Sequence, residues 1–220
     1  MIMVLFLILG YKIFRMTATR LEIDAMAFDL GGVLVKVDHG RFCRGLAALG
    51  AGDPQEVYAG VFGTALEPGY DTGLLTSREF YRGVRERFHL PLPYPRFRAL
   101  WNDVFDPMEG MAQVVAALAR RYPLFLVSNT NPLHFRYVRA RYPLLDHFRL
   151  FILSYRVGSR KPEAGIYQAL IRVVGGSPER CLFLDDKPPM VAAARGHGLT
   201  AWHFTTPKEF CRRLTQHGLW

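Results

Sequence analysis

The chain has 220 residues, half of them hydrophobic and about a fifth charged, so it can hold one sizeable core, or one core and a small insertion. Its three cysteines, Cys43, Cys181 and Cys211, are scattered, odd in number and without a CxxC pair, which excludes a disulfide framework or a zinc site and fits a reducing, cytoplasmic setting. The net charge of +9 comes from one block, because between Leu118 and Lys161 nine arginines and lysines face a single acid, Asp146. Such a block reads as solvated helix faces, or as a field that attracts small anions. With no lysine run and no known nucleic-acid module, DNA or RNA is not an expected partner.

Residues 1–9 are an unbroken apolar run. The run is too short for the roughly 20 residues that span a bilayer. It also lacks the basic flank and small-residue cleavage site of a secretory signal. Residues 1–22 therefore read as a tail, either an upstream mis-assigned start or a disordered segment; a weakly membrane-associating segment is the alternative. No firm membrane association is expected. Residues 23–29 then form a buried strand that ends on Asp29 and runs into Gly31 and Gly32. An acid in that place, with backbone free to wrap around it, can hold a cation or attack a phosphate. Gly31 stands where a second acid would complete a common catalytic pair.

Residues 39–106 contain no convincing strand. Helical patterns cover 41–49, 54–62, 77–87 and 94–104, and Asp53 with Glu56 and Thr76 with Glu79 are capping-box starts. This reads as an all-helical insertion, with Phe62, Trp101 and Phe105 most simply its core. Beyond it, apolar runs at 124–128, 150–154, 181–185 and 200–204 alternate with helical patterns over 110–121, 162–174, 188–197 and 207–217. Thr206 and Glu209 are spaced as a third capping box. Alternating strands and helices predict an α/β fold, a Rossmann-like parallel sheet with helices on both faces. The predicted core is 23–38 with 107–220, and the insertion is 39–106. Tyr167 reads as core packing.

In an open parallel sheet, ligands collect beyond the carboxyl ends of the strands. Four such ends carry reactive or polar residues here. They are Asp29, then Ser128-Asn129-Thr130-Asn131, then Ser159-Arg160-Lys161-Pro162-Glu163, then Asp185-Asp186-Lys187. Any one could be a helix cap or a surface charge. The four in this order resemble the haloacid dehalogenase (HAD) superfamily, over nearly everything from Ile23 to Phe204. The insertion sits where that family carries a C1-type helical cap. The runs 28–35, 127–131, 160–167 and 183–186 look most like a bacterial subgroup that includes an α-D-glucose 1-phosphate phosphatase. The phosphatase domain of soluble epoxide hydrolase is a more distant likeness.

The resemblance implies Mg²⁺-dependent hydrolysis of a small phosphate monoester, a sugar phosphate among the candidates, through an aspartyl-phosphate on Asp29. It implies metal ligands at Asp29, the Gly31 carbonyl, Asp185 and Asp186, oxygen donors of the kind Mg²⁺ prefers. Lys161 would neutralise the transferring phosphoryl group and hold Asp29. Ser128, the backbone near Asn129 and the Gly32 turn would receive its oxygens. Gly31 departs from the family pattern, in which most phosphatases carry a general acid–base Asp at that position. Water or another group would then move the proton, with Asp38 and His39 as candidates that also read as a polar hinge. Two alternatives follow from the same residues. One is a 2-haloacid dehalogenase, which releases halide without that acid but usually without metal. The other is a catalytically weak phosphate-binding or regulatory protein. The expected partner is a small phosphorylated metabolite, with the chain a monomer or a homodimer. No GxGxxG, GxxxxGK[ST], GxSxG or HxxxH pattern is present.

Overall fold

The computed structural model describes residues 21–220, so the readings made on the N-terminal run lie outside the described residues. Strand β1 (Ala25–Phe28) is wholly buried, as a strand covered on both faces must be. A short strand β2 (Val35–Val37) leads into helices α1 (His39–Ala47), α2 (Pro54–Phe62), α3 (Leu66–Asp71), α4 (Ser77–Arg87) and α5 (Tyr94–Asn102), and strand β3 (Phe105–Pro107) leads out. There follow α6 (Met111–Leu118), β4 (Leu124–Ser128), α7 (Pro132–Arg141), β5 (Phe148–Leu153), α8 (Ser154–Val157), α9 (Ala164–Val174), β6 (Cys181–Asp185), α10 (Pro188–Gly196), β7 (Thr200–His203) and α11 (Pro207–Gln216).

The strands β5-β4-β1-β6-β7 form one five-stranded parallel sheet in that order. Side chains alternate across β1, so Met26 and Phe28 face one apolar cluster while Ala25 and Ala27 face another. The first cluster is closed by α6, α7 and α11 through Met111, Val115, Val138, Phe210 and Leu214. The second is closed by α9 and α10 through Ile166, Tyr167, Leu170 and Val191. Tyr167 packs edge-on against Phe183 and donates its hydroxyl to the Met190 carbonyl at 2.9 Å, the core role expected of it. The result is the predicted α/β sandwich. Among the described residues, no helix is long and apolar enough to cross a membrane.

Helices α1, α2, α4 and α5 gather around a third cluster of their own, in which Phe42, Phe80, Phe97 and Trp101 stack and meet edge-on. The capping boxes at Asp53/Glu56 and Thr76/Glu79 both close. The one at Thr206 closes only halfway: its hydroxyl accepts from Glu209 N at 3.2 Å, but the Glu209 carboxylate turns to Arg212.

Strands β2 and β3 and helices α3, α7 and α8 are not in the sequence reading. Phe105–Pro107 is a strand, paired antiparallel with Val35–Val37, inside a stretch expected to hold none until Asp106. At three residues each, neither strand is long enough to display a period of two. Helix α3 escaped because it is six residues long and contains Pro68 and Gly69, both of which discourage helices in isolation. Helix α7 escaped because Arg136, Arg139 and Arg141 interrupt its apolar face of Leu133, Phe135 and Val138.

Removing the Thr76 hydroxyl by Thr76→Ala is expected to cost about 1 kcal/mol of stability. Removing the fully buried Phe97 ring by Phe97→Ala is expected to cost about 3–5 kcal/mol. Urea unfolding of the two variants beside wild type measures both. A cap loss equal to the core loss would contradict this ranking.

Candidate active site

Parallel pairing places Phe28 opposite Leu126 on one side and Leu184 on the other, so β1, β4 and β6 end together. Asp29, Ser128 and Asp185 are thereby brought to one edge of the sheet. Lys161 arrives from the turn after α8. Its ammonium is 2.9 Å from Asp29 Oδ1 and 2.6 Å from Asp185 Oδ2, with the side chain almost wholly buried. Its backbone is held as firmly. Lys161 N donates to Asn129 Oδ1 at 2.7 Å, and its carbonyl accepts from Asn129 Nδ2 at 2.9 Å. The Glu163 carboxylate ties the same turn by accepting from Ser159 Oγ and Arg160 N.

One ammonium cannot balance two buried carboxylates. Burial works against the charge of Lys161, but Asp29 and Asp185 outweigh it and hold the ammonium above its ordinary range. Burial dominates at Asp29 and raises it to about 6, with Asp185 adding repulsion and Lys161 opposing both. The Asp29 Oδ1 atom accepts from Leu30 N at 2.7 Å as well as from Lys161. Among the described residues nothing donates to its Oδ2.

The surplus negative charge is the setting of a cation site. Asp29, Asp185 and Asp186 each bring one carboxylate oxygen within 4.8 Å of the others. Asp186 Oδ1 is buried with no partner among the described residues, and burial raises its acid as well. Gly32 has φ +76°, and a Cβ there would fall 2.2 Å from Asp186 Oδ2, so the turn can wrap the acid only as glycine. These oxygens fit a hard divalent cation such as Mg²⁺. At Gly31, a Cβ would fall 2.9 Å from Val37 Cγ2. The packing of β2 therefore opposes a side chain where the sequence lacks its second acid.

Asp29, Gly31, Gly32, Ser128, Asn129, Lys161 and Asp186 line one cavity of about 300 Å³. Ser128 Oγ donates to the Asn129 carbonyl at 3.3 Å, and the Asn129 side chain is spent on Lys161, which leaves its backbone N–H for a ligand. The far wall is built by the helices: His39, Phe62, Glu67, Asp71 and Trp101 line it, with Phe105 beside them. Of the two candidates near the hinge, His39 reaches the cavity, while Asp38 is held outside by Arg44 and Arg41.

Sequence reasoning missed Glu67, Asp71 and His134. Asp71 lies on the unrecognised α3 and is buried; burial, with Glu67 beside it, holds its carboxyl well above the usual range. Asn131, seen in the sequence only as part of a strand end, joins the two halves of the molecule. Its Nδ2 donates to Asp71 Oδ1 at 3.0 Å and to His134 Nδ1 at 3.2 Å. Its Oδ1 accepts from His134 N at 3.0 Å and Trp101 Nε1 at 3.3 Å. His134 Nε2 donates to the Trp101 carbonyl, and burial lowers this imidazole to about 3, so it stays neutral. The one clue in the sequence was Asn131 itself, a polar residue just before Pro132 and a good helix cap.

A family model for haloacid dehalogenase-like hydrolases matches residues 23–198. The chain belongs to that family. A D-ribitol-5-phosphate phosphatase of Bacteroides thetaiotaomicron is 25% identical over 200 residues, covering 88% of this chain and 97% of that protein. A HAD family enzyme of the same organism, solved with magnesium and inorganic phosphate, is similar in structure with a TM-score of 0.77 and 25% identity, over 84% of this hydrolase and 96% of that chain. The L-2-haloacid dehalogenase of Xanthobacter autotrophicus shares the fold, with a TM-score of 0.61 at 19% identity over 90% of this hydrolase and 84% of that chain.

Because the folded pKa of Asp29 is raised from 3.8 to about 6, its contribution to stability is present below 3.8 and lost as pH rises through 6. In metal-free protein, Asp29→Asn is therefore expected to be more stable than wild type near pH 8, by roughly 2–3 kcal/mol at about 1.36 kcal/mol per unit. The gap should close toward pH 4. Urea unfolding across that range is the measurement, and equal stability near pH 8 would contradict the burial cost assigned to Asp29.

Proposed function

We propose that this hydrolase is a Mg²⁺-dependent phosphatase that cleaves a small phosphate monoester, a sugar or sugar-alcohol phosphate, through an aspartyl-phosphate on Asp29. The observation that carries the reading is the Asp29 carboxylate itself. Its Oδ1 is pinned by Leu30 N and Lys161, and it shares a cavity with Ser128 and with Asp186. The magnesium and phosphate bound by the similar HAD family enzyme support it.

Asp29 Oδ2 attacks phosphorus, and the bond from phosphorus to the ester oxygen breaks. Splitting hydrolysis this way replaces one hard step with two easier ones. Mg²⁺, when bound by Asp29, the Gly31 carbonyl, Asp185 and Asp186, offsets the negative charge that otherwise keeps phosphate and carboxylate apart. Lys161 neutralises the phosphoryl oxygens and orients Asp29 at the same time. Ser128 Oγ turns from the Asn129 carbonyl to those oxygens, joined by the backbone N–H groups of the loop and the Gly32 turn. With glycine at 31, the departing oxygen takes its proton from water or from a group on the helical wall. Residues 39–106 act as the cap over a core of 23–38 and 107–220, and exclude bulk water when they close. The three clustered carboxylates weigh against the 2-haloacid dehalogenase chemistry of the Xanthobacter protein: they carry more negative charge than Lys161 alone balances, and without a second cation they would repel one another.

Asp29→Asn and chelation by EDTA are each expected to reduce turnover of a phosphate-ester panel by at least about 10³-fold, with Mg²⁺ restoring the chelated wild type. Full activity in Asp29→Asn, or in metal-free wild type, would sink the mechanism. Halide release from 2-haloacids in place of phosphate release would move the chain to the dehalogenases.

A further inference from the structure

The wall of the cavity opposite Asp29 carries charged groups that the phosphoryl chemistry does not use. Glu67, on α3, lies 3.2 Å from Arg160 of the lysine turn, and both are largely buried. Asp71, one helical turn further on, lines the same cavity and accepts from Asn131 Nδ2 at 3.0 Å. Burial, with Glu67 beside it, holds the Asp71 carboxyl well above its ordinary range. Helix α3 is itself seated firmly. The turn that follows it passes so close to Tyr155 that a Cβ on Gly73 would fall 2.4 Å from the Tyr155 carbonyl. Phe62 and Trp101 stack at 5.9 Å and 16° on the same wall.

From this juxtaposition we propose that the Glu67–Arg160 pair is the subsite for the leaving group, and that it selects an uncharged leaving group carrying adjacent hydroxyls. The proposal rests on the phosphatase reading and deepens it. A hydroxyl both donates and accepts. Glu67 supplies acceptors and Arg160 supplies donors side by side, so two neighbouring hydroxyls can be satisfied at once. The aromatic pair covers the carbon face of such a group. Because the charges of Glu67 and Arg160 cancel, the pair itself offers no net charge to a second anion or to an ammonium. Either would leave a buried charge unmatched.

The test compares four phosphate monoesters on Mg²⁺-loaded enzyme: a pentitol 5-phosphate, n-pentyl phosphate, phosphocholine and 3-phosphoglycerate. The pentitol ester is expected to exceed each of the others in kcat/KM by at least about tenfold, because buried polar groups penalise a ligand that leaves them unpaired. In Glu67→Gln, the ratio of pentitol to pentyl ester should fall by about tenfold, chiefly through a higher KM for the pentitol ester. Arg160→Gln should lower the same ratio, which keeps the test open should one variant fail to fold; thermal melting reports on folding. Equal rates on pentitol and pentyl esters, a preference for phosphocholine or phosphoglycerate, or an unchanged ratio in folded variants would overturn the subsite while leaving the phosphatase reading intact. Hydrolysis of none of the four would overturn both.

Discussion

A buried ammonium placed between two buried carboxylates is the constraint from which the rest of the site follows. Lys161 cannot be sheltered from water without a buried carboxylate beside it, and neither Asp29 nor Asp185 can be sheltered without Lys161. That mutual need requires the ends of β1 and β6 to meet the turn after α8 within hydrogen-bonding distance. Asn129, at the end of β4, then clamps the lysine backbone, so three strands and one turn share a single arrangement. Such clusters contribute little to stability, since desolvation consumes most of what the charges return. Their value is geometric. They hold the Asp29 and Asp185 carboxylates in place before any ligand arrives, and so little reorganisation would remain for the proposed reaction.

Much of this was legible in the sequence because its physics is local. Strands covered on both faces are plain apolar runs, and β4 and β6 fell where the runs at 124–128 and 181–185 placed them. Asp29, Ser128, Lys161 and the Asp185–Asp186 pair each stand at the end of such a run or on the turn beyond one, where side chains emerge from a parallel sheet. What stayed hidden depends on long-range contact. Helix α3 has no periodicity to find in six residues, and it forms because Tyr70 packs beneath Phe80 and Trp101. With the helix hidden, Glu67 and Asp71 were invisible as site residues. Arg160 belonged to a conspicuous basic block, yet its partner lies 93 positions away. The Glu209 carboxylate had two places to go, and only the folded chain shows that Arg212 wins.

Asn131 illustrates how a polar residue can decide the relation between two hydrophobic cores. Its amide makes two donations and two acceptances, reaching Asp71 on α3, Trp101 on α5 and His134 on α7. No hydrogen-bonding capacity is left over, so the contact between the helical layer and the sheet tolerates little sliding. The neutral His134, donating to the Trp101 carbonyl, closes the same circuit. Both the loop after β4 and the helical wall of the cavity are tied to this one side chain.

The paired strands β2 and β3 carry both chain crossings into and out of the helices, with Val37 opposite Phe105. Entry and exit are therefore neighbours. An inserted segment whose two ends lie side by side places no demand on the spacing or twist of the host sheet, whatever its own length. The five helices can be regarded as an exchangeable module clipped onto a fixed chemical engine. Selection for a new leaving group can rebuild them freely, provided that the joint at Val35–Val37 and Phe105–Pro107, and the seat that Asn131 offers, are kept.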